Sequence, residues 1–178
     1  MKRICTATAS AVLIIWAMPS AHAAQAQGES AGARETIVDI DNLTNRISER
    51  AFELNQMAKR GQSSIVQLEG LNHLRDDVNK VAADLDSLEA KKEDLADWEV
   101  KALDRTLPVM REVAGETGKA IQFFNTDRSR LWSTPYLEDT SEIAKDAKAV
   151  SAMLRDYLKL EGDREQEAQL ERKLSETR

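Results

Sequence analysis

An uninterrupted heptad pattern of apolar residues constrains the fold of this chain more than any other feature. In the segment 64–91, apolar side chains recur at alternating spacings of three and four, at Leu71, Leu74, Val78, Val81, Leu85 and Leu88. This spacing places all six side chains on one face of an α-helix. The intervening positions are mostly charged or polar, which predicts a solvated opposite face. Because such a helix is stable mainly through packing of its apolar face, other helices must cover it.

Three further segments have the same period. The first, 35–60, carries its seam at Ile37, Ile40, Thr44, Ile47, Ala51, Leu54 and Ala58. The third, 94–125, carries one stripe at Val100, Leu103, Leu107, Met110, Ala114, Thr117, Ile121 and Phe124, and another at Ala102, Val109, Val113, Ala120 and Phe123. The fourth, 134–160, carries Ile143, Ala147, Val150, Leu154 and Tyr157. Residues 35–160 are therefore predicted to form an all-α protein, an antiparallel up-down four-helix bundle with coiled-coil-like seams.

The first two links differ in how clearly they are marked. Gly61 follows two basic residues, which is typical of a helix C terminus, and Ser63 or Ser64 can cap the next helix. The run EAKKED at 89–94 contains neither glycine nor proline. Asp94 could cap a third helix, or the segment 64–125 could be one long rod. Bundle topology favours the hairpin, because a lone rod leaves two apolar seams uncovered.

Prolines mark two other features. Pro108 lies inside the third helix and predicts a kink there, since it has no N–H and its ring crowds the preceding turn. Thr134 before Pro135 predicts the start of the fourth helix. Asp139 with Glu142 offers a second possible start, as a pair resembling a capping box.

The N terminus has the three parts of a secretory signal peptide. Lys2 and Arg3 precede a mostly apolar run over 4–18, and Ala21 and Ala23 are the small residues that a signal peptidase reads. The run is shorter than the ~20 residues that a membrane-spanning helix needs. The signal peptide is therefore predicted to be cleaved after Ala23 or, alternatively, after Ala26, from an exported bacterial protein, periplasmic or secreted. We expect no stable membrane insertion of the mature chain.

The segments flanking the predicted bundle are polar. Residues 24–34 are small and polar with two glycines, which predicts a flexible leader. Residues 161–178 are charged with sparse leucines, which leaves open a helical or a disordered tail.

The charge balance limits the partners. The chain has 25 basic and 31 acidic residues, and removal of 1–23 leaves 23 basic and 31 acidic residues, a net charge of −8. An acidic chain argues against binding nucleic acid and against electrostatic docking on anionic lipid. The one cysteine, Cys5, lies in the signal peptide, so the mature chain forms no disulfide and its stability comes from packing.

A glycine-rich stretch in the third helix resembles a phosphate-binding loop. Residues 114–120 read AGETGKA, but Val113 stands where the first glycine of that motif belongs and Ala120 replaces its final Ser or Thr. Nucleotide binding is therefore not expected. Gly115 and Gly118 indicate instead a close approach of helices or a soft spot in the helix.

Residues that carry metal or covalent chemistry are scarce. Covalent haem needs Cys-x-x-Cys-His, and a di-iron bundle needs two Glu-x-x-His pairs; the mature chain has neither. The one mature histidine, His73, falls at an outward heptad position and is predicted to be a surface residue. No serine lies in a Gly-x-Ser-x-Gly turn. We expect no enzymatic activity, no cofactor and no metal.

The link 125–137, NTDRSRLWSTPYL, has the most unusual composition. Arg128, Arg130, Trp132 and Tyr136 form a candidate contact patch for a partner protein or for an aromatic or anionic ligand. Alternatively, Leu131, Trp132 and Tyr136 close the open end of the bundle, which is the more usual role of apolar residues in a link.

Residues 96–137 resemble a pattern in small exported all-helical bacterial proteins, through Trp98, Asp104, Arg105, Pro108, Asn125, Arg128, Leu131, Thr134 and Pro135. The resemblance implies an exported helical bundle and no particular activity. Asp104 and Arg105 are expected to form surface ion pairs.

The sequence supports three hypotheses about function. The first is a non-catalytic structural or protein-interaction role in the bacterial envelope, with an unknown protein partner or self-association. The second is a bundle that binds a small apolar ligand between its helices, opened by the kink at Pro108. The third is a periplasmic holdase chaperone.

Overall fold

The computed structural model describes residues 22–176, and their side chains from residue 32 onward. Four helices follow each other: α1 (His22–Lys59), α2 (Ser64–Ala90), α3 (Asp97–Thr126) and α4 (Thr134–Glu176). Short 3-10 turns occupy Lys92–Asp94 and Arg128–Arg130. No strand occurs in 22–176. The predicted signal peptide lies outside these residues, apart from its last two positions.

The helices form the predicted antiparallel up-down bundle. α1 packs against α2 and α4, and α3 packs against the same two helices, while α1 and α3 lie at opposite corners. Consecutive helices run in opposite directions, so the links 60–63 and 127–133 meet at one end. We call this the Trp132 end. The link 91–96 lies at the other end, which we call the hairpin end.

The predicted seams of α1 and α2 form half of the core. All seven seam residues of α1 and all six heptad residues of α2 are buried, which confirms both patterns. Burial of each large aliphatic side chain stabilises the bundle by about 1.5–3 kcal/mol. In α4, four of the five predicted seam residues are buried and Tyr157 is half-buried.

The seam of α3 differs from the prediction. Its buried line runs between the two predicted stripes, through Glu99, Leu103, Thr106, Met110, Val113, Thr117, Ala120 and Phe124, with Ala102 beside it. Val100, Leu107 and Ile121 are half-buried, and Ala114 is exposed. The reason is that α3 contacts both α2 and α4. The line between the stripes faces the bundle axis, and the outer stripe positions flank the two contacts.

Hydrogen bonds donated by polar side chains of α1 join it to α4 inside their interface. The Ser48 hydroxyl donates to the Ala144 carbonyl at 2.7 Å. The Asn55 amide donates to the Leu137 carbonyl at 2.7 Å and to the Thr140 hydroxyl oxygen at 2.9 Å. A shift of one helix along the other would break these bonds and leave buried polar groups unpaired. They therefore fix the register of α1 against α4.

A charged group extends the same interface. The Ser151 hydroxyl donates to Asp41 Oδ1 at 2.5 Å, and Arg155 Nε lies 3.2 and 3.1 Å from the two carboxylate oxygens. Asp41 and Ser151 are buried, while Arg155 reaches solvent. The carboxylate is thus satisfied by a charge and a hydroxyl, as a buried carboxylate requires.

The first link has the predicted turn chemistry. Gly61 has a φ of 65° and ends α1. Its N–H donates to the Ala58 carbonyl at 3.1 Å, and the Gln62 N–H donates to the Met57 carbonyl at 3.0 Å. These two bonds define a Schellman motif. Of the two candidate caps, Ser63 caps α2, because its hydroxyl accepts from the Ile65 N–H at 3.3 Å.

The second link resolves the alternative between a hairpin and a rod. α2 ends at Ala90 and α3 begins at Asp97, so the two are separate. Asp94 does not cap α3 and lies in the 3-10 turn instead. The cap position is Ala96, whose N–H donates to Glu99 Oε2 at 2.8 Å. The chain needs the additional residues 91–96 to reverse direction, which places the helix start later than predicted.

Both terminal helices are longer than predicted. α1 begins at His22, so 24–34 is helical, although the composition predicts a leader. α4 begins at Thr134 as predicted and continues to Glu176, so the tail is helical over residues 161–176. Arg34 Nη1 lies 2.7 and 2.8 Å from the two carboxylate oxygens of Glu165, which joins the two extensions. Among residues 22–176, no helix combines the length and the apolar character that crossing a membrane requires.

Glycine substitutions should distinguish the turn from the helix interior. A Cβ at Gly115 or Gly118 meets no atom within 4 Å. We expect Gly115→Ala and Gly118→Ala each to raise the free energy of unfolding by about 0.5–1 kcal/mol, because alanine has the better helix propensity. Gly61→Ala should lower it by about 1–2 kcal/mol, because a Cβ strains the left-handed conformation. Urea unfolding followed by circular dichroism tests this. If Gly61→Ala and Gly115→Ala changed the free energy of unfolding in the same direction, the result would contradict the prediction.

Candidate interaction surface

The Trp132 end contains the residues that the sequence singled out as a contact patch. Arg128 is exposed, and its guanidinium carbon lies 4.9 Å from the centre of the Phe124 ring. Arg130 is exposed and pairs with Asp127, its Nε lying 2.6 Å from Oδ2. This bond lowers the pKa of Asp127 and raises that of Arg130. The cation–π contact and the ion pair order the link 127–133.

Trp132 and Tyr136 lie in opposite environments. Trp132 is 62% exposed, whereas Tyr136 is fully buried beside Phe123, with ring centres 6.0 Å apart. Burial raises the pKa of the Tyr136 hydroxyl. Tyr136 and the buried Leu131 close the end of the bundle, and Trp132 does not. Tyr136 is therefore not part of the exposed surface at this end, because it points to the core from the first turn of α4.

The same end also exposes apolar residues that were not predicted from the sequence. Ile65 is 77% exposed and Val66 is 45% exposed, both in the first turn of α2. The heptad phase could have found them: stepping back four residues from Leu71 reaches Gln67, which is the buried residue of this turn. Ile65 and Val66 fall outside that phase. With Trp132 in the second link, they are exposed apolar residues at the same end of the bundle.

Grooves flank α1 near this end. One of about 200 Å³ lies between α1 and α2 and is lined by Arg50, Glu53, Leu54, Met57, Val66, Glu69, Gly70 and His73. A Cβ at Gly70 would lie 2.9 Å from Leu54 Cδ2, so Gly70 permits the close approach of the two helices. His73 is exposed, as predicted, with Nε2 3.8 Å from Glu69 Oε1. The side chains of 32–176 contain no group of three or more His, Cys, Asp or Glu residues that could hold a metal ion.

The hairpin end has a cleft of about 370 Å³. It is lined by Gly32, Ala33, Thr36, Ser87, Leu88, Lys91, Asp94 and Leu95. A smaller cavity of about 90 Å³ lies between α2 and α3 and includes Leu107, next to Pro108. A ligand of ordinary size needs about 300 Å³ or more. The volume near the proline lies below this range.

The stretch 114–120 has an ordinary helical role. It lies inside α3, and a Cβ added at Gly115 or Gly118 would point into open space. The predicted close approach of helices at these glycines is therefore wrong, because they point away from the neighbouring helices.

Earlier in α3, Asp104 pairs with Lys92 at 2.5 Å, as expected of a surface ion pair. Arg105 instead lies over the Tyr157 ring, 5.8 Å from its centre.

Three carboxylates surround one lysine between α3 and α4. Lys119 Nζ lies 2.8 Å from Glu116 Oε1, and this bond lowers the pKa of Glu116. Burial, and then the hydrogen bond and charge of Glu116, raise the pKa of Asp139 to about 6. Glu142 adds a further negative charge to the cluster. One lysine thus faces three acidic groups, so that ionised Asp139 opposes folding.

The substitution Asp139→Asn should therefore stabilise the bundle at neutral pH. The folded-state pKa of about 6 lies above the ordinary value of 3.8, so the penalty is full above pH 6 and fades as pH falls toward 4. Since Asp139 is partly exposed, we expect a gain of only about 0.5–1 kcal/mol. Urea unfolding at about pH 7.5 and at about pH 4.5 measures the gain on the two sides of this range. An equal gain at both values would contradict the assignment to Asp139.

Comparison of the chain with protein-family models, curated proteins and solved structures found no match. The resemblance of 96–137 to small exported helical proteins therefore remains an expectation from the sequence.

Proposed function

We propose that this chain is an exported protein with a non-catalytic, protein-interaction role in the bacterial envelope. Export is supported by the signal-peptide pattern of residues 1–23. The interaction role is supported by one observation, the C-terminal extension of α4. Residues 161–176 continue α4 beyond the last buried core residue, Leu154, and most of their side chains are exposed.

The extension carries apolar side chains that its own bundle leaves uncovered. Leu170 is 61% exposed and Leu174 is 69% exposed, one turn apart on the same helix face. The surrounding residues are mostly charged. An exposed leucine pair on a charged helix is the pattern by which helices dock into apolar grooves or pair with other helices. The occupant is a protein partner or a second copy of the chain.

Site-specific photocrosslinking in the exporting cell tests this proposal. A photoreactive amino acid at Leu170 is expected to give a discrete adduct with another protein or with a second copy. The same amino acid at Ala83, an exposed position in the middle of α2, is the matched control and should give none. The same adduct pattern at both positions, or none at Leu170 and Leu174, would reject the interaction role of this helix.

A second candidate, the binding of a small ligand, is favoured by the cleft of about 370 Å³ at the hairpin end. Ala33, Leu88 and Leu95 contribute apolar surface, and Lys91 and Asp94 contribute charge. Native mass spectrometry of the exported protein should then show a non-covalent adduct that Ala33→Trp abolishes, because the indole fills the cleft. An adduct that persists in Ala33→Trp would place the ligand elsewhere.

A further inference from the structure

The Trp132 end combines exposed apolar side chains with a local excess of positive charge. We propose that this end docks peripherally on a membrane surface that contains anionic phospholipids. The proposal is independent of the interaction role of the C-terminal helix, because it rests on the two links 60–63 and 127–133 and on the adjoining helix ends. Those links lie far from Leu170 in the fold, since α4 runs from the Trp132 end past the hairpin end.

The charge of this end differs in sign from that of the rest of the molecule. Segments 59–66 and 126–134 contain four basic residues, Lys59, Arg60, Arg128 and Arg130, and one acidic residue, Asp127, which gives a net charge of +3. The chain without residues 1–23 has a net charge of −8, so its remainder has −11. The carboxylate of Asp127 is bonded within its own link, because it accepts hydrogen bonds from Arg130 and, at 3.2 Å, from Ser129.

This uneven distribution changes what the acidic composition implies. An evenly acidic surface is repelled by anionic lipid, which is the basis of the expectation from the sequence. Here the antiparallel topology brings two basic links to one end, and the acidic remainder extends away from it. An anionic surface would attract the Trp132 end and repel the opposite end, so the bundle would approach with that end first.

The apolar side chains at this end suit the boundary between headgroups and acyl chains. Trp132 has an apolar ring with one N–H donor, which is the chemistry enriched at membrane interfaces. Ile65 supplies an aliphatic side chain that is 77% exposed, and Val66 lies beside it in sequence. Basic side chains around such residues add attraction to anionic headgroups.

A second copy of the chain fits this end less well than a lipid surface does. A symmetric end-to-end dimer would place the same patch, with its net charge of +3, against itself. Like charges placed opposite each other oppose that association. A lipid surface offers the opposite charge.

Vesicle flotation with protein purified from the periplasm after export tests the proposal. The probes are vesicles of phosphatidylcholine alone and vesicles in which about a third of the lipid is phosphatidylglycerol. We expect binding to the anionic vesicles only, weakened by salt. The double variant Arg60→Glu/Arg128→Glu should bind at least about 25-fold more weakly, at roughly fivefold or more per basic residue. Ile65→Ser should lose about tenfold.

A control with the same change in net charge separates local from global electrostatics. Lys101 and Lys159 are exposed near the hairpin end. Lys101→Glu/Lys159→Glu should bind the anionic vesicles within about twofold to threefold of the unaltered protein, since its altered charges lie away from the lipid. In Trp98→Phe, which leaves Trp132 as the tryptophan of the mature chain, fluorescence should shift to the blue on binding.

The results divide clearly. Equal binding to both kinds of vesicle, or equal weakening by the two double variants, would overturn the proposal. The proposal would also be overturned if no vesicles were bound and the protein instead formed a dimer that Ile65→Ser dissociates. The same holds if no vesicles were bound and another protein bound this end. Circular dichroism melts of all variants exclude unfolding as the cause. Photocrosslinking at Leu170 is unaffected by any of these outcomes, so failure here leaves the proposed interaction role standing.

Discussion

Replacing Tyr136 with alanine is expected to lower the free energy of unfolding by about 3–5 kcal/mol, the cost of truncating a large buried aromatic residue. Tyr136 is fully buried and is the largest such side chain in the core. Its ring packs beside Phe123 and fills the bundle where α3 ends and α4 begins. Alanine would leave a cavity at an end that only a short link closes. Urea unfolding followed by circular dichroism measures the loss.

The hydroxyl of Tyr136 provides a matched control. Tyr136 Oη is buried and has no hydrogen-bond partner among the side chains and backbone of 32–176. Tyr136→Phe removes this polar atom and keeps the ring, so its effect should lie within about 1 kcal/mol of zero, or be stabilising. A loss in Tyr136→Phe comparable to that in Tyr136→Ala would show that the hydroxyl is bonded, for example to a buried water. The aromatic ring would then not be the main contribution.

The two clearest seams could be read from the sequence because burial follows the heptad period there. In α1 and α2, each apolar face is narrow and each phase is unambiguous. In α3, the apolar face is wide, so periodicity alone does not identify the line that faces the axis. The structure places Glu99 and Thr106 on that line. Polar residues of this kind are read as exposed unless the positions of the neighbouring helices are known.

The candidate surface was only partly predictable for a related reason. Composition identified the link that contains Trp132 but left open whether Tyr136 lies in a contact patch or closes the end of the bundle. Ile65 was recoverable from the heptad phase of α2. Its location at the same end as the other link was not, because only the bundle topology brings two segments more than 60 residues apart to one end. The local positive charge depends on the same topology, and it cannot be seen in the net charge of the whole chain, which is negative.

The strongest electrostatic prediction concerns Asn55, whose hydrogen bonds help fix the register of α1 against α4. Asn55→Asp should lower the free energy of unfolding by about 3–5 kcal/mol at neutral pH, as an uncompensated buried charge does. Asn55 now donates to the Leu137 carbonyl and the Thr140 hydroxyl oxygen, at 2.7 and 2.9 Å. The Thr140 hydroxyl donates to the Tyr136 carbonyl at 2.9 Å. A carboxylate at this position would therefore face lone pairs, because the one neighbouring hydroxyl already donates to a backbone carbonyl.

The pH dependence of Asn55→Asp separates charge from shape, because the two side chains are nearly isosteric. Burial without a donor raises the folded-state pKa of the new carboxyl above its ordinary value of about 3.9. The penalty is then full above the raised pKa and is lost as pH falls below it, where the protonated group can donate to Leu137. Asn79→Asp, at an exposed position of α2, should change stability by no more than about 0.5 kcal/mol at any pH. A penalty in Asn55→Asp that does not vary with pH would show that packing, rather than the buried charge, determines the register of α1 against α4.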